Sequence, residues 1–337
     1  MGSTMRLSLV VPCYNEVEVI ARFHQAVTRE LTATGRPYEI VYVDDGSSDG
    51  TLDALVGLAA VDESVRYLSF SRNFGKEAAM LAGLRYATGD AVVIMDADLQ
   101  HPPELIGRML TEYGRGFDQV IARRNRTGDP ATRTLFARAY YWLINKWADV
   151  ELMDGVGDFR LLSRRAVDGL LELNEYNRFS KGLFAWIGFE SILFEYDNVK
   201  AAPDRKSRWT FRRLLEYGLD GLLSFNNKPL RLAIYVGLLL TAVAAGYAVW
   251  VIVAALVHGV EMPGYVTLIA AITGLGGLQM VMLGVIGEYI GRVYYETKQR
   301  PHYLLKQTNV DPAELNQLKK LDGLEKPPAP GEHTRGR

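Results

Sequence analysis

The sequence predicts an α/β fold: a Rossmann-like domain with a mainly parallel sheet, then a juxtamembrane amphipathic segment and a two-helix transmembrane hairpin. Three observations lead there. Over roughly the first 200 residues, short β-branched apolar runs alternate with stretches of helical composition. Further on, two apolar stretches are each long enough to cross a bilayer, which takes about 20 residues of helix. Finally, acidic and polar pairs stand where the predicted strands end, the edge at which open α/β sheets bind ligands.

The strands come in order as LSLVVPCYN, EIVYVDDG, VRYLSFSRN, DAVVIMDAD and DQVIARR, with a helix expected after each of the first four. Their apolar character is nearly continuous, as expected of strands covered on both faces. The polar residues at their carboxyl ends are Asn15 and Glu16, Asp44 and Asp45, Arg72 and Asn73, Asp96 and Asp98, and Arg123 and Arg124. The domain is expected over 1–205, and no internal repeat is evident in it.

The apolar stretches run from Leu232 to about His258 and from about Gly264 to Ile290. A pair of buried core helices is the alternative, but the length threshold is passed twice. Tyr235, Trp250, Tyr265 and Tyr289 lie where interfacial aromatics belong. Lys228 and Arg231 precede the first stretch, Arg292, Lys298 and Arg300 follow the second, and the connecting HGVEMPG has neither Lys nor Arg. The positive-inside rule then places the α/β domain and both termini in the cytoplasm of a multi-pass membrane protein. Residues 206–231 mix Trp209, Phe211, Leu214 and Leu215 with Arg208, Arg212 and Arg213, which suits a headgroup-level helix or a plain packing helix. The expected spans occupy 232–291, and 292–337 forms a cytosolic tail with a short helix after Asp311 and then disorder.

Composition narrows the function. The 337 residues carry 38 basic and 39 acidic side chains, a net charge of −1, so no global basic excess points to nucleic acid. The one cysteine, Cys13, excludes a disulfide framework and fits a reducing compartment; within an apolar strand it is expected to be a small buried hydrophobe. The N-terminal MGSTMRLSLVVP lacks the charged segment and long apolar core of a signal peptide.

The strongest chemical signal is GDAVVIMDADLQHPPE. If the strand continues through Asp96 and Asp98, its period of two puts both carboxylates on one side, and Gln100 continues the spacing with an amide oxygen. Hard oxygen ligands completed by substrate phosphates suit Mg²⁺ or Mn²⁺. In VYVDDGSSDGT, the residues from Gly46 to Asp49 are ordinary turn formers, but the adjacent acids Asp44 and Asp45 gain from each other's presence only if something binds there, such as a base NH or ribose hydroxyls. In SRNFGKEAAMLAGL, Gly75 and Lys76 open a helix that could receive a diphosphate or could simply be capped.

Taken together, PCYNE, VDDGSSDGT, NFGKEAA, DADLQHPPE and GDFRLLSRR resemble family 2 glycosyltransferases of the polyprenyl-phosphate type, among them dolichyl-phosphate mannose synthases and bactoprenol glucosyltransferases. The resemblance covers about residues 5–300 and is tightest to the bactoprenol enzymes, through GDFRLLSRR, NRFSKGLFAWIGF and SFNNKPLR. It implies a glycosyltransferase A fold, a nucleotide-sugar donor, a polyprenyl phosphate acceptor and direct displacement with inversion. It assigns nucleotide binding to Pro12, Tyr14, Asn15, Glu16 and Asp44, with Asp45, Lys76 and Asp96 completing the expected donor set. It gives the metal to Asp96, Asp98 and Gln100, phosphates to Arg123, Arg126 and Arg133, and a place near the reacting centre to Asp158, followed by Arg160. The pattern departs from the family in APDRKSRW, where Ala202 and Arg205 stand for the usual Arg and Gly and Arg208 for the usual Lys; Arg205, Lys206 and Arg208 could supply the phosphate-binding charge instead. UDP-glucose is the donor and a tetramer the assembly that resemblance suggests, and glycines such as Gly274, Gly277 and Gly284 would allow close helix contacts.

Two other readings are weighed. A processive polysaccharide synthase needs a Q-x-x-R-W motif, and Arg205 stands where its Gln belongs before Arg208-Trp209. A non-catalytic scaffold or flippase partner would have no reason to keep intact DADLQ and DDGS segments.

Overall fold

The computed structural model describes residues 5–125, 145, 153, 155–173, 175–196, 228–258 and 264–311. The chain order is β1 (Leu7–Cys13), α1 (Val17–Ala33), β2 (Tyr38–Asp44), α2 (Thr51–Val61), β3 (Val65–Phe70), α3 (Lys76–Tyr86), β4 (Ala91–Ile94), α4 (Leu105–Tyr113), β5 (Gln119–Arg124) and β6 (Val156–Ser163). There follow α5 (Arg164–Leu171), α6 (Ser180–Trp186), β7 (Ser191–Tyr196), α7 (Lys228–His258), α8 (Tyr265–Thr297) and β8 (Leu305–Thr308).

One eight-stranded sheet has the order β7-β5-β6-β4-β1-β2-β3-β8. Strands β1, β2, β3 and β4 are mutually parallel, and β5 and β7 run in the same direction. Only β6, between β4 and β5, and β8, at the edge beside β3, are antiparallel. The sheet is therefore mainly parallel, as expected. The antiparallel strands β6 and β8 were not foreseen, because alternation with helices is a signal for parallel strands only; β7, parallel to β5, was not foreseen either.

The near-continuous apolar strands feed two cores. Leu7, Leu9 and Val11 join Ile40, Tyr42, Phe23 and Leu31 on the face covered by α1, α2 and α4. Val10, Val41, Val43, Val92 and Ile94 point the other way, toward α3, α5 and α6. Helix α3 lies so close to β1 that a Cβ on Gly83 would stand 2.2 Å from Val10 Cγ1. Cys13 is buried, as expected, and burial pushes its thiol pKa well up.

Part of the expected 292–337 tail packs on the sheet. After α8 the chain returns to the sheet and adds β8. Asn309 takes the Tyr67 amide (2.8 Å) and gives its own amide nitrogen to the Val65 carbonyl (2.9 Å), Tyr303 stacks on Phe70 at 4.9 Å, and Val310 is buried in the second core. The expected helix after Asp311 and most of the juxtamembrane segment lie outside the described residues.

Helices α7 and α8 expose a succession of large apolar side chains, among them Leu239, Val243, Trp250, Leu268, Ile272, Val281 and Ile290. Among the described residues one stretch, Gly274–Thr297, is long and apolar enough to cross a membrane, with a mean hydropathy of 1.2; Tyr235–Tyr247 is apolar but shorter.

Candidate active site

The carboxyl ends of β1, β2 and β4 and the start of antiparallel β6 meet at one edge of the sheet. The loop after β1 is held against the loop after β2. Asn15, with a left-handed φ of 55°, donates its backbone amide to Ser47 Oγ, and its side-chain oxygen accepts from the Ser48 amide, each bond 2.9 Å long. The Glu16 amide donates to Thr51 Oγ1 at 2.8 Å. Tyr14 stands exposed at the mouth, and Pro12 is half-buried in β1. Gly46 is required where it is: φ is +68° and a Cβ would come within 2.4 Å of the Arg72 backbone carbon.

The adjacent acids have separate partners. Asp44, 1% exposed, accepts from the Ser47 amide at 3.0 Å and the Ser69 hydroxyl at 2.7 Å. Asp45 turns sideways and accepts from the Phe74 amide at 2.7 Å and the Gly75 amide at 2.9 Å, fixing the entry to α3. Burial raises the Asp45 pKa, and those amide bonds oppose the rise. Its oxygens thus hold the protein's own backbone at the entry to α3.

At the centre, Lys76 Nζ lies 2.7 Å from Asp96 Oδ1 and 2.7 Å from Asp158 Oδ2. Three expected site residues from three elements meet in one ion cluster. Burial alone would raise the Asp158 pKa, but Lys76, with help from Lys181 and Arg160, outweighs it and holds the carboxyl below its ordinary value. For Lys76 the order is the same: burial lowers, the two carboxylates raise, and the net shift is upward.

Strand β4 ends at Ile94, so Asp96, Asp98 and Gln100 lie beyond it, and strand periodicity is not what groups them. A turn does so instead, with Leu99 in the left-handed region at φ 58° and the Gln100 amide donating to Asp98 Oδ1 at 3.0 Å. Such strained non-glycine residues concentrate at functional sites. Among the described residues no three His, Cys, Asp or Glu side chains gather as a complete metal cage. Two carboxylates and an amide beside an open cleft do fit an ion whose remaining ligands come from substrate phosphates and water.

His101 was missed by the sequence reading. It stacks on Phe159 at 4.9 Å, hydrogen-bonds Tyr196 Oη through Nδ1 at 2.7 Å, and brings Nε2 to 4.0 Å from Asp96 Oδ2. Burial lowers its pKa against the pull of Asp96 and Asp98. Glu77 and Lys181 were also missed, although both stand in quoted segments. Glu77 accepts from the Ser180 amide at 3.1 Å and from its hydroxyl, tying α3 to α6. No local spacing links 77 with 180; the contact arises only when α3 and α6 pack on the same face.

The expected phosphate ligands are dispersed. Arg123 is paired with Glu195 on β7. Arg160, 2% exposed, lies with its guanidinium 3.7 Å over the Phe184 ring. Burial lowers its pKa to about 10, opposed by Asp158. Arg126, Arg133, Arg205, Lys206 and Arg208 lie outside the described residues.

Comparison with known proteins places the chain in a family. The family described as "Glycosyl transferase family 2" matches residues 8–171, and "GtrB C-terminal hairpin" matches 228–293. The chain is 50% identical over 323 residues to "Putative glycosyltransferase CsbB" of Bacillus subtilis, covering 95% of this chain and 98% of that protein. It is 41% identical over 306 residues to the "Prophage bactoprenol glucosyl transferase homolog" of Escherichia coli, covering 90% and 99%. Among solved structures, a mannosyltransferase from Pyrobaculum calidifontis in complex with GDP-Man and Mn²⁺ is similar with a TM-score of 0.43 and 18% identity, covering 88% of each chain.

Proposed function

Because the chain belongs to glycosyl transferase family 2, we propose that it transfers a sugar, with inversion, from a nucleotide-sugar to the phosphate of a polyprenyl phosphate at the cytosolic face of the inner membrane. UDP-glucose is the first donor to test, in line with the relatives named bactoprenol glucosyl transferase. The observation that carries the reading is the meeting of Asp96, Lys76 and Asp158 at one point on the ligand-binding edge of the sheet.

In this reading the lipid phosphate oxygen attacks the anomeric carbon while the bond to the nucleoside diphosphate breaks. A phosphate monoester has a second pKa near 6 and is mostly dianionic at neutral pH, so no strong base is needed. Asp158, ionised well below neutrality, orients the acceptor and takes a proton only from the minority monoanion. Lys76 is within reach of the leaving diphosphate when it turns from Asp96. Asp96, Asp98 and the Gln100 amide would hold Mg²⁺ or Mn²⁺, which when bound supplies Lewis-acid stabilisation of the departing diphosphate. The loops carrying Tyr14, Asn15, Glu16 and Asp44 would seat the nucleoside. Arg126, Arg133, Arg205, Lys206 and Arg208 remain proposed phosphate ligands.

The exposed apolar faces of α7 and α8 and the match to a C-terminal hairpin support two membrane spans. A polyprenyl tail stays in the bilayer, so anchoring the enzyme raises the effective concentration of its phosphate. A homo-oligomer, a tetramer by resemblance, would be built through the same helices.

The test is to incubate the purified full chain, Mg²⁺ and polyprenyl phosphate with a panel of nucleotide-sugars and identify the lipid product by mass spectrometry. A glycosylated polyprenyl phosphate is expected, with turnover abolished in a folded Asp98→Ala variant. Near-normal turnover in Asp98→Ala would refute the metal assignment, and no lipid product with any donor would refute the function.

A further inference from the structure

Lys76 engages both oxygens of Asp96 at once. Its Nζ lies 2.7 Å from Asp96 Oδ1 and 2.8 Å from Asp96 Oδ2. Those are oxygens proposed above for Mg²⁺ or Mn²⁺. The same ammonium reaches across to β6, where Asp158 Oδ2 lies 2.7 Å away. An ammonium and a divalent cation held by one carboxylate would stand roughly 4 Å apart or closer. At that range, in a site partly shielded from water, their repulsion is several times that of exposed charges. One of the two has to give way.

The surroundings decide which part can move. The backbone is fixed on both sides of Lys76. Asp45 accepts from the Phe74 and Gly75 amides, and the next residue, Glu77, accepts from the Ser180 amide on α6. Asp96 follows the buried Met95, whose amide donates to the Val10 carbonyl at 3.0 Å. The Lys76 side chain, by contrast, is partly exposed and has a flexible four-carbon stem. It is therefore the mobile piece of the cluster, able to leave Asp96 for another anion while α3 stays in place.

We propose that Lys76 is a cation placeholder: it competes with the divalent ion for Asp96 and is drawn off by the nucleoside diphosphate, so that metal and nucleotide load together. The proposal rests on the donor and metal classes given above and adds how the two are coupled. Because linkage is reciprocal, each ligand strengthens the other by the same factor. The sign of one effect separates this role from two others. A lysine that only contacts the diphosphate has no influence on metal binding without nucleotide. A lysine that only holds the carboxylates in place weakens metal binding when it is removed. A competitor tightens metal binding when it is removed.

The experiment uses the full chain in detergent, with Mn²⁺ as the metal and UDP as the nucleotide, and reads binding by calorimetry. Lys76→Gln keeps the length and polar end of the side chain and removes its charge. Without nucleotide it is expected to bind Mn²⁺ tenfold or more tighter than the wild type. The factor by which UDP tightens Mn²⁺ binding is expected to fall at least fivefold in the same variant. Lys181→Gln removes a neighbouring cation that acts on Asp158, and should shift the Mn²⁺ Kd less than threefold. In the wild type, acetylation of Lys76 by acetic anhydride, read by mass spectrometry, is expected to rise threefold or more with Mn²⁺ alone and to fall again when UDP is added. Unchanged or weaker Mn²⁺ binding in Lys76→Gln overturns the proposal, and so does equal tightening in Lys181→Gln, the mark of a plain charge effect. If Lys76→Gln does not fold, acetylation that Mn²⁺ leaves unchanged overturns it. A wild type that binds no Mn²⁺ overturns the metal assignment as well, a result distinguishable from Mn²⁺ binding that the variant does not tighten.

Discussion

At the scale of single residues, the centre is an arrangement of like charges made tolerable by one ammonium. Asp96 and Asp158 would repel across the cleft, and Lys76 bridges them. Replacing Lys76 with Ala leaves a largely buried Asp158 without its counter-charge, which costs stability. Lys76 is itself 42% exposed, so the cost is discounted to about 1–2 kcal/mol. The pH dependence has a definite sign. The folded-state pKa of Asp158 lies below its unfolded value, so its contribution is present above the ordinary carboxylate range and fades as pH falls through the folded pKa. The gap in melting temperature between wild type and Lys76→Ala should be largest near pH 7 and shrink below about pH 4. A gap that widens toward acid would show that the pairing is not what stabilises the site.

At the scale of elements, the decisive contact is α3 on β1, since α3 carries Lys76 and Glu77 into the site. That approach depends on Gly83, whose missing side chain admits Val10. Gly83→Ala should destabilise by about 1–3 kcal/mol through overpacking. Gly107 in α4 has open space around its Cβ position, so Gly107→Ala should stabilise by up to about 1 kcal/mol through helix propensity. Opposite signs in chemical denaturation would separate packing from propensity; a shared sign would refute the close-approach argument. The same contrast marks what sequence reasoning could reach. The motif NFGKEAA pointed to Lys76, but the role of Gly83 depends on a neighbour more than 70 positions away.

At the scale of the whole molecule, α8 is tied back to the catalytic domain. The Tyr176 amide donates to Glu296 Oε1 at 2.8 Å, and the Tyr176 ring stacks on Tyr295 at 5.6 Å and on His302 at 5.8 Å. The chain then enters β8. His302 is a titratable part of this junction: burial lowers its pKa to about 4, with Arg178 and Arg85 adding to the fall. An unfolded histidine binds a proton near pH 6.5 and this one does not until about 4, so protein stability declines as pH falls through that window and is unaffected above it. His302→Phe keeps a ring for Tyr176 and removes the proton site. Its melting temperature should match wild type at pH 7.5 and exceed it at pH 5; equal melting temperatures at both pH values would show that His302 is not buried against those arginines.

By itself the sequence determined the strand-helix alternation, the mainly parallel sheet, the ligand-binding edge and the acids gathered there. These are local properties: apolar runs, turn residues and short motifs whose chemistry does not depend on distant partners. Tertiary structure decided the rest. It inserted β6 and β8 antiparallel, set Asp45 to hold the Phe74 and Gly75 amides, buried Arg160 over Phe184, and brought His101 beside Asp96. Each of those outcomes depends on which elements become neighbours across the sheet, and a side chain's partners there are chosen by packing over long sequence separations, which no local pattern encodes.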